Sequence, residues 1–275
     1  MNMFREGLSG YYSEGEVRNI FYLASDHLLN YSKIDIHLKG QDPISSEVLE
    51  NFSKFLARLL DWEPVQYILG AAEFYGLSFQ VDPRVLIPRP ETEELVDWIV
   101  KEERGGVADI LDLGTGSGCI AVSLAVNLPG TTVSACDISE EALEVARENA
   151  AANQAAVGFF PLDILDAGSV LPQQYQVMVS NPPYVRQMEK TFMRRNVLDF
   201  EPGLALFVPD SDPLCYYRNL ALLGRKYLKD GGLLYLEINE KFPRETLRLL
   251  ESAGFYGVEI REDINGKARM VRAKK

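Results

Sequence analysis

The chain has 275 residues, 47% of them apolar, and 40 acidic against 28 basic side chains give it a formal charge of −12. The apolar share excludes a disordered chain, and no apolar run approaches the length of a membrane span. Duplex nucleic acid is held largely by Lys and Arg neutralising phosphates, so the acidic balance argues against stable nucleic-acid binding; only a local basic patch at Arg186, Lys190, Arg194 and Arg195 speaks for it.

Cys119, Cys136 and Cys215, with His27 and His37, have no metal or redox spacing. We therefore expect no metal, and the odd cysteine count reads as reduced thiols in the cytoplasm. The start Met1-Asn-Met-Phe-Arg lacks the hydrophobic segment of a signal peptide. Both histidines read as surface residues of an accessory domain.

Residues 1 to about 60 read as helical. Val17, Ile20, Phe21, Ala24 and Leu28 form one stripe, and Val48, Leu49, Phe52, Phe55, Leu56 and Leu59 form another after the Asp42-Pro43 turn. Pro64 suits the first turn of a third helix. Residues 1–70 thus make a small helical domain, either a packing cap or a grip on a protein substrate. In the connector 71–90, the runs around Gly76 predict a hairpin or an extended link. Pro88-Arg-Pro-Glu-Thr92 is stiff, because each proline fixes φ. A helix follows through Leu95, Val96, Ile99 and Val100. Glu91 and Thr92 are candidates to touch a bound cofactor or, equally, to serve as first-turn charge and helix cap.

From Val107 the pattern alternates. Strands are predicted near 108–113, 132–136, 157–161, 176–180 and 232–238, with helices near 118–128, 139–153 and 214–229. Such alternation specifies an α/β fold, a doubly wound parallel sheet covered on both faces, over residues 91–275. A helix from Pro243 to Ala253 precedes two final runs, Tyr256–Glu262 and Ala268–Arg272. These flank Asp263-Ile-Asn-Gly266, a strong signal for a terminal antiparallel hairpin. Residues 185–212 form a long connection and are the candidate lid, with Phe192, Phe200 and Phe207 as candidates to exclude water.

The first core strand runs into Gly114-Thr115-Gly116-Ser117-Gly118, and a helical pattern follows. Glycines tolerate positive φ and let another molecule approach the backbone, so this turn is a candidate cofactor seat. Cys119 stands where a dinucleotide fingerprint wants its third glycine. Asp137, at the tip of the second strand, is placed to accept from both ribose hydroxyls. Asp163, with Ile164 beside it, follows the third strand and could take an adenine amine. Together these sites describe an adenosine with no demand for phosphate charge, which favours S-adenosylmethionine over NAD.

The fourth strand ends in Asn181-Pro182-Pro183-Tyr184, and open α/β sheets place their ligands at such strand ends. The paired prolines lock the backbone. The Asn181 side-chain oxygen and the Pro182 carbonyl then form a rigid acceptor pair beside the Tyr184 ring. A planar –NH2 group, with two donors in one plane, fits that pair. Positioning and directed electrostatics would supply most of a methyl-transfer rate.

The glycine turn with Asn-Pro-Pro-Tyr resembles the class I methyltransferases that act on planar nitrogens, whether adenine N6 in DNA or RNA or glutamine N5 in proteins. Glu63-Pro-Val-Gln-Tyr-Ile-Leu-Gly70, Val85-Leu-Ile-Pro-Arg-Pro-Glu-Thr-Glu93 and Glu201-Pro-Gly-Leu-Ala-Leu206 are similar to the peptide chain release factor N5-glutamine methyltransferases. The resemblance covers most of the chain from about Glu63. It implies a Rossmann-like class I methyltransferase sheet with a small N-terminal helical recognition domain. The implied reaction moves a methyl group from S-adenosylmethionine to the glutamine of the Gly-Gly-Gln tip of class I release factors; separately, we expect a monomer. The family's usual glycine-rich turn is replaced here by Val208-Pro-Asp-Ser-Asp-Pro213, leaving the shape of that loop open.

Overall fold

The computed structural model describes every residue except Gln41, Arg104, Gly105, Val107, Ala108 and Ala167. Two compact units emerge, Met1–Gly70 together with Arg194–Phe200, and Ala71–Met193 together with Glu201–Lys275.

The smaller unit is helical: α1 (Asn2–Leu8), α2 (Glu14–Leu29), α3 (Lys33–Lys39), α4 (Ser46–Leu60) and α5 (Val65–Leu69). Serines set three of the starts. Ser13 and Ser32 form reciprocal capping boxes with Glu16 and Asp35, and Ser45 accepts from the Val48 N–H. Pro64 is the N-cap of α5. The two expected stripes supply the core, where Val17, Ile20 and Ala24 meet Phe52, Phe55, Leu56 and Leu59 around a fully buried Phe4. Leu49 departs from its stripe at 49% exposure, three positions before Phe52, the first buried residue of α4. The sequence pattern had not resolved α1 and α3 as separate elements.

The larger unit begins with a hairpin of β1 (Ala71–Phe74) and β2 (Leu77–Gln80). Its two-residue turn has positive φ at both Tyr75 and Gly76, the twist that suits paired strands. Next come α6 (Pro90–Glu103), β3 (Asp109–Leu113), α7 (Cys119–Asn127), β4 (Thr132–Asp137), α8 (Glu140–Ala152), β5 (Val157–Pro161) and β6 (Tyr175–Ser180). The expected first strand residue, Ala108, and the expected start of the alternation, Val107, lie outside the described residues. The 185–212 connection is more ordered than its composition suggests. It holds β7 (Val185–Arg186), a 3-10 turn at Gln187–Phe192, α9 (Arg195–Leu198), a second 3-10 turn at Gly203–Ala205, and β8 (Phe207–Val208), which pairs in parallel with β7. The chain ends with α10 (Cys215–Tyr227), β9 (Leu228–Glu237), α11 (Pro243–Ser252), β10 (Tyr256–Glu262) and β11 (Ala268–Lys274).

Seven strands form one sheet in the order β10-β11-β9-β6-β3-β4-β5. The four pairings that link β5, β4, β3, β6 and β9 run parallel, and β11 and β10 close the far edge antiparallel. β9 starts at Leu228 and not near 232, and its pairing with β6 is offset between Leu228 and Leu233, around Gly231 with its positive φ. From β3 the chain moves outward through β4 and β5, then returns to lay β6 on the opposite side of β3. That reversal opens a crevice at the carboxyl ends of β3 and β6, where α/β sheets bind ligands.

Candidate active site

A cavity of about 360 Å³ lies at those strand ends. Its floor is the turn after β3. Gly114 and Thr115 both donate their N–H groups to the Cys136 carbonyl at 2.9 Å, and Gly116 N–H donates to Asp137 Oδ2 at 2.9 Å. Gly116 has φ +54°, and a Cβ built on it would meet nothing within 4 Å, so its open side faces the cavity that it lines. Gly118 is glycine for another reason. At φ +81° it starts α7, and a Cβ there would come within 3.1 Å of Ala146 on α8. Buried Asn149, also on α8, donates to the Ser117 carbonyl and exchanges hydrogen bonds with the Gln80 backbone, tying the turn to the β2 hairpin.

Asp137 lines the cavity and is committed in part to the fold. Its Oδ1 accepts from Ser139 N–H and its Oδ2 from Gly116 N–H. Burial raises its pKa, against the lowering effect of those backbone donors. Asp163 accepts from Leu165 N–H at 2.8 Å, and both Asp163 and the buried Ile164 line the cavity. The lining carries two arginines, and each is neutralised: Arg84 pairs with Asp82, and Arg89 with Glu201. A ligand rich in phosphate would find no unpaired cation there among the described residues, whereas Asp137 and Asp163 offer acceptors to the hydroxyls and amine of an adenosine. The open cradle over Gly116 and this charge pattern fit an adenosyl sulfonium better than a dinucleotide.

Beside the seat, β6 delivers the Asn-Pro-Pro-Tyr turn. Ser180 hydroxyl donates to the Leu113 carbonyl at 2.6 Å, Val185 N–H donates to the Leu206 carbonyl at 2.9 Å, and Asn239 Nδ2 donates to the Tyr184 carbonyl at 2.9 Å. Asn181 and Pro183 line the cavity, while the buried Pro182 and the half-buried Tyr184 lie outside the lining. Asn181 Nδ2 donates to Thr92 Oγ1 at 3.0 Å. Among the described residues no group donates to Asn181 Oδ1 or to the Pro182 carbonyl.

The sequence did not disclose Glu237, at the end of β9. It is 1% exposed and accepts from Thr92 Oγ1 at 2.6 Å and from the Tyr184 hydroxyl at 2.9 Å. Burial raises its pKa, while the hydrogen bonds of Thr92 and Tyr184 and the Arg269 guanidinium pull it down. Thr92 does not cap α6: its hydroxyl donates to Glu237, and the oxygen accepts from Asn181 and not from a backbone N–H of the helix. Glu91 is absent from the lining, and Tyr216, which the sequence did not mark, is part of it.

Two expectations need correction. Phe192 is 88% exposed, Phe200 belongs to the helical unit and Phe207 sits on β8, so none of them walls the cavity. The 3-10 turn at Gly203–Ala205 brings Pro202, Leu204 and Ala205 there instead. The basic patch is largely matched by acids: Arg186 pairs with Glu189, Arg194 with Glu16 and Arg195 with Asp199. The departing loop at 208–213 is pinned, with Asp210 accepting from Met188 N–H and Asp212 held by both terminal nitrogens of Arg218.

Residues 2–70 match the PrmC N-terminal domain family and residues 91–199 the methyltransferase small domain family. A release factor glutamine methyltransferase of Bacteroides thetaiotaomicron is 47% identical over 272 residues, covering 98% of this chain and 97% of the relative. One from Flavobacterium psychrophilum is 41% identical over 273 residues, covering 98% and 95%. Among solved structures, a methyltransferase from Pyrococcus furiosus shares the fold at 19% identity, with a TM-score of 0.53 over 82% of this chain and 99% of that one.

Proposed function

The chain belongs to the release factor glutamine methyltransferases, and from that premise we propose that its cavity seats S-adenosylmethionine beside a clamp for the glutamine side-chain amide of a class I release factor. The reading rests on Asn181, which lines the cavity with its nitrogen engaged by Thr92 and its oxygen unclaimed. The Gly114–Gly118 turn, Asp137 and Asp163 with Ile164 would hold the adenosine.

When bound, the donor supplies an electrophilic methyl group on a positively charged sulfur, and its transfer leaves a neutral thioether. The protein's work is to prepare the nucleophile. An amide nitrogen is a poor one, because its lone pair is delocalised into the carbonyl. Asn181 Oδ1 and the Pro182 carbonyl would accept its two protons and fix the plane of the amide, and Pro183 would wall the approach. The buried setting strengthens both hydrogen bonds and cuts the cost of reorientation. No general base is required, since the methylated nitrogen is acidic and loses its proton to water. The helical unit would grip the protein substrate, and the reaction would take place in the cytoplasm.

Incubation with labelled S-adenosylmethionine and either a release factor or duplex DNA tests the reading. We expect one added methyl on the glutamine of the Gly-Gly-Gln peptide by mass spectrometry; label confined to DNA would overturn it. Asn181→Ala is expected to lower kcat by roughly a hundred- to a thousandfold, the scale of removing one directed hydrogen bond at a reacting group.

A further inference from the structure

The direction of each hydrogen bond behind Asn181 is fixed by the group behind it. Glu237 accepts on both oxygens, from Tyr184 on Oε1 and from Thr92 on Oε2. A carboxylate has no proton to give, so Thr92 must spend its one hydroxyl proton on Glu237. The Thr92 oxygen is then left as an acceptor, and it takes a proton from Asn181 Nδ2 at 3.0 Å. Asn181 is thereby held with its nitrogen inward and its oxygen free. A clamp for an –NH2 group needs that orientation, because a flipped Asn181 would present donors to donors.

We infer that Glu237 is the positioning residue that sets the orientation of Asn181 through Thr92, and so selects a substrate bearing a planar –NH2 group. Glu237 comes from β9, Thr92 from α6 and Asn181 from the end of β6, so three elements converge on one polar contact. Glu237 is not part of the cavity lining, so it acts through its neighbours and touches no ligand. Tyr184 holds the other carboxylate oxygen and stops the group rotating. The inference rests on the function proposed above.

Glu237→Gln tests it with little change in shape. A glutamine can turn its –NH2 toward Thr92, which frees the Thr92 hydroxyl to donate to Asn181 Oδ1 and invert the clamp. We expect kcat for release factor methylation to fall roughly ten- to a hundredfold, as when a buried polar contact is reversed. The S-adenosylmethionine dissociation constant and the melting temperature should stay close to wild type. Thr92→Ser keeps the hydroxyl and should retain most of the activity, while Thr92→Val should fall as Glu237→Gln does. A Glu237→Gln enzyme with wild-type kcat, or a Thr92→Ser enzyme as impaired as Thr92→Val, would overturn the inference while leaving the proposed function standing. A wild-type chain that leaves the release factor unlabelled would overturn both.

Discussion

Asp112 and Asp137 stand on either side of the glycine turn and show how much one carboxylate can be asked to do. Asp137 braces the turn through two backbone N–H groups, yet each of its oxygens keeps a further lone pair. Asp112 is fully buried, accepts from Thr115 Oγ1 at 2.6 Å, and burial lifts its pKa to about 7. Its folded pKa lies above the unfolded value, so the native state binds the proton more tightly. Stability is then greatest below the unfolded pKa and declines as pH rises through about 7. The full span is worth roughly 4 kcal/mol. Asp112→Asn removes the titration, so its melting temperature should change less between pH 5 and pH 8 than that of the wild type. An equal slope in both proteins would show that Asp112 does not titrate in that range. Asp137 was legible in sequence because a strand tip announces itself. Glu237 was not, because 145 residues separate it from the threonine it holds.

Two segments that the sequence keeps far apart are fastened at the mouth of the cavity. Arg89, in the stiff proline run before α6, reaches Glu201 at 2.7 and 2.8 Å, and Glu201 also accepts from the buried Ile87 N–H at 3.3 Å. The Glu201 side chain is 1% exposed while that of Arg89 is 31% exposed, so solvent shares the arginine charge but not the carboxylate. The pair ties the segment of Pro88 to the segment of Pro202, and both segments line the same cavity. Glu201→Ala leaves a buried N–H and a half-screened guanidinium without partners. It should cost roughly 2 to 3 kcal/mol and weaken cofactor affinity along with it. Chemical denaturation and calorimetric titration with S-adenosylmethionine check the two effects. An unchanged affinity would mean that the clasp shapes the protein without shaping the seat. The stiffness of the proline run could be read from its two fixed φ values, but its partner could not.

The molecule has separate cores for its two units. Phe4 lies at the centre of the helical one, with rings of Phe21 and Phe52 edge-on at 5.6 and 6.0 Å and Phe55 at 6.2 Å. Phe4→Ala should destabilise that unit by about 3 to 5 kcal/mol. If this unit grips the protein substrate, KM for the release factor should rise while S-adenosylmethionine affinity holds. Loss of both together would tie the helical core to the cofactor seat. Arg194–Phe200 belongs to this unit although it follows the Asn-Pro-Pro-Tyr turn in the chain, with the Arg195 guanidinium 5.7 Å from the Trp62 ring. The chain itself thus runs from the Asn-Pro-Pro-Tyr turn into the helical unit and back.

The alternation of strands and helices that builds the sheet, the glycine turn, the terminal hairpin and the Asn-Pro-Pro-Tyr tip were determined by the sequence, because each is written in local terms: apolar period, positive-φ glycines, proline-locked φ, an Asn-Gly turn. The tertiary structure alone decided which side chains meet at the carboxyl edge of the sheet. It placed Glu237 behind Thr92, clasped Arg89 to Glu201, and put Pro202, Leu204 and Ala205, not the phenylalanines, on the cavity wall. Those contacts join positions more than eighty residues apart or depend on how one short 3-10 turn rotates its side chains. Periodicity along a chain carries no record of either.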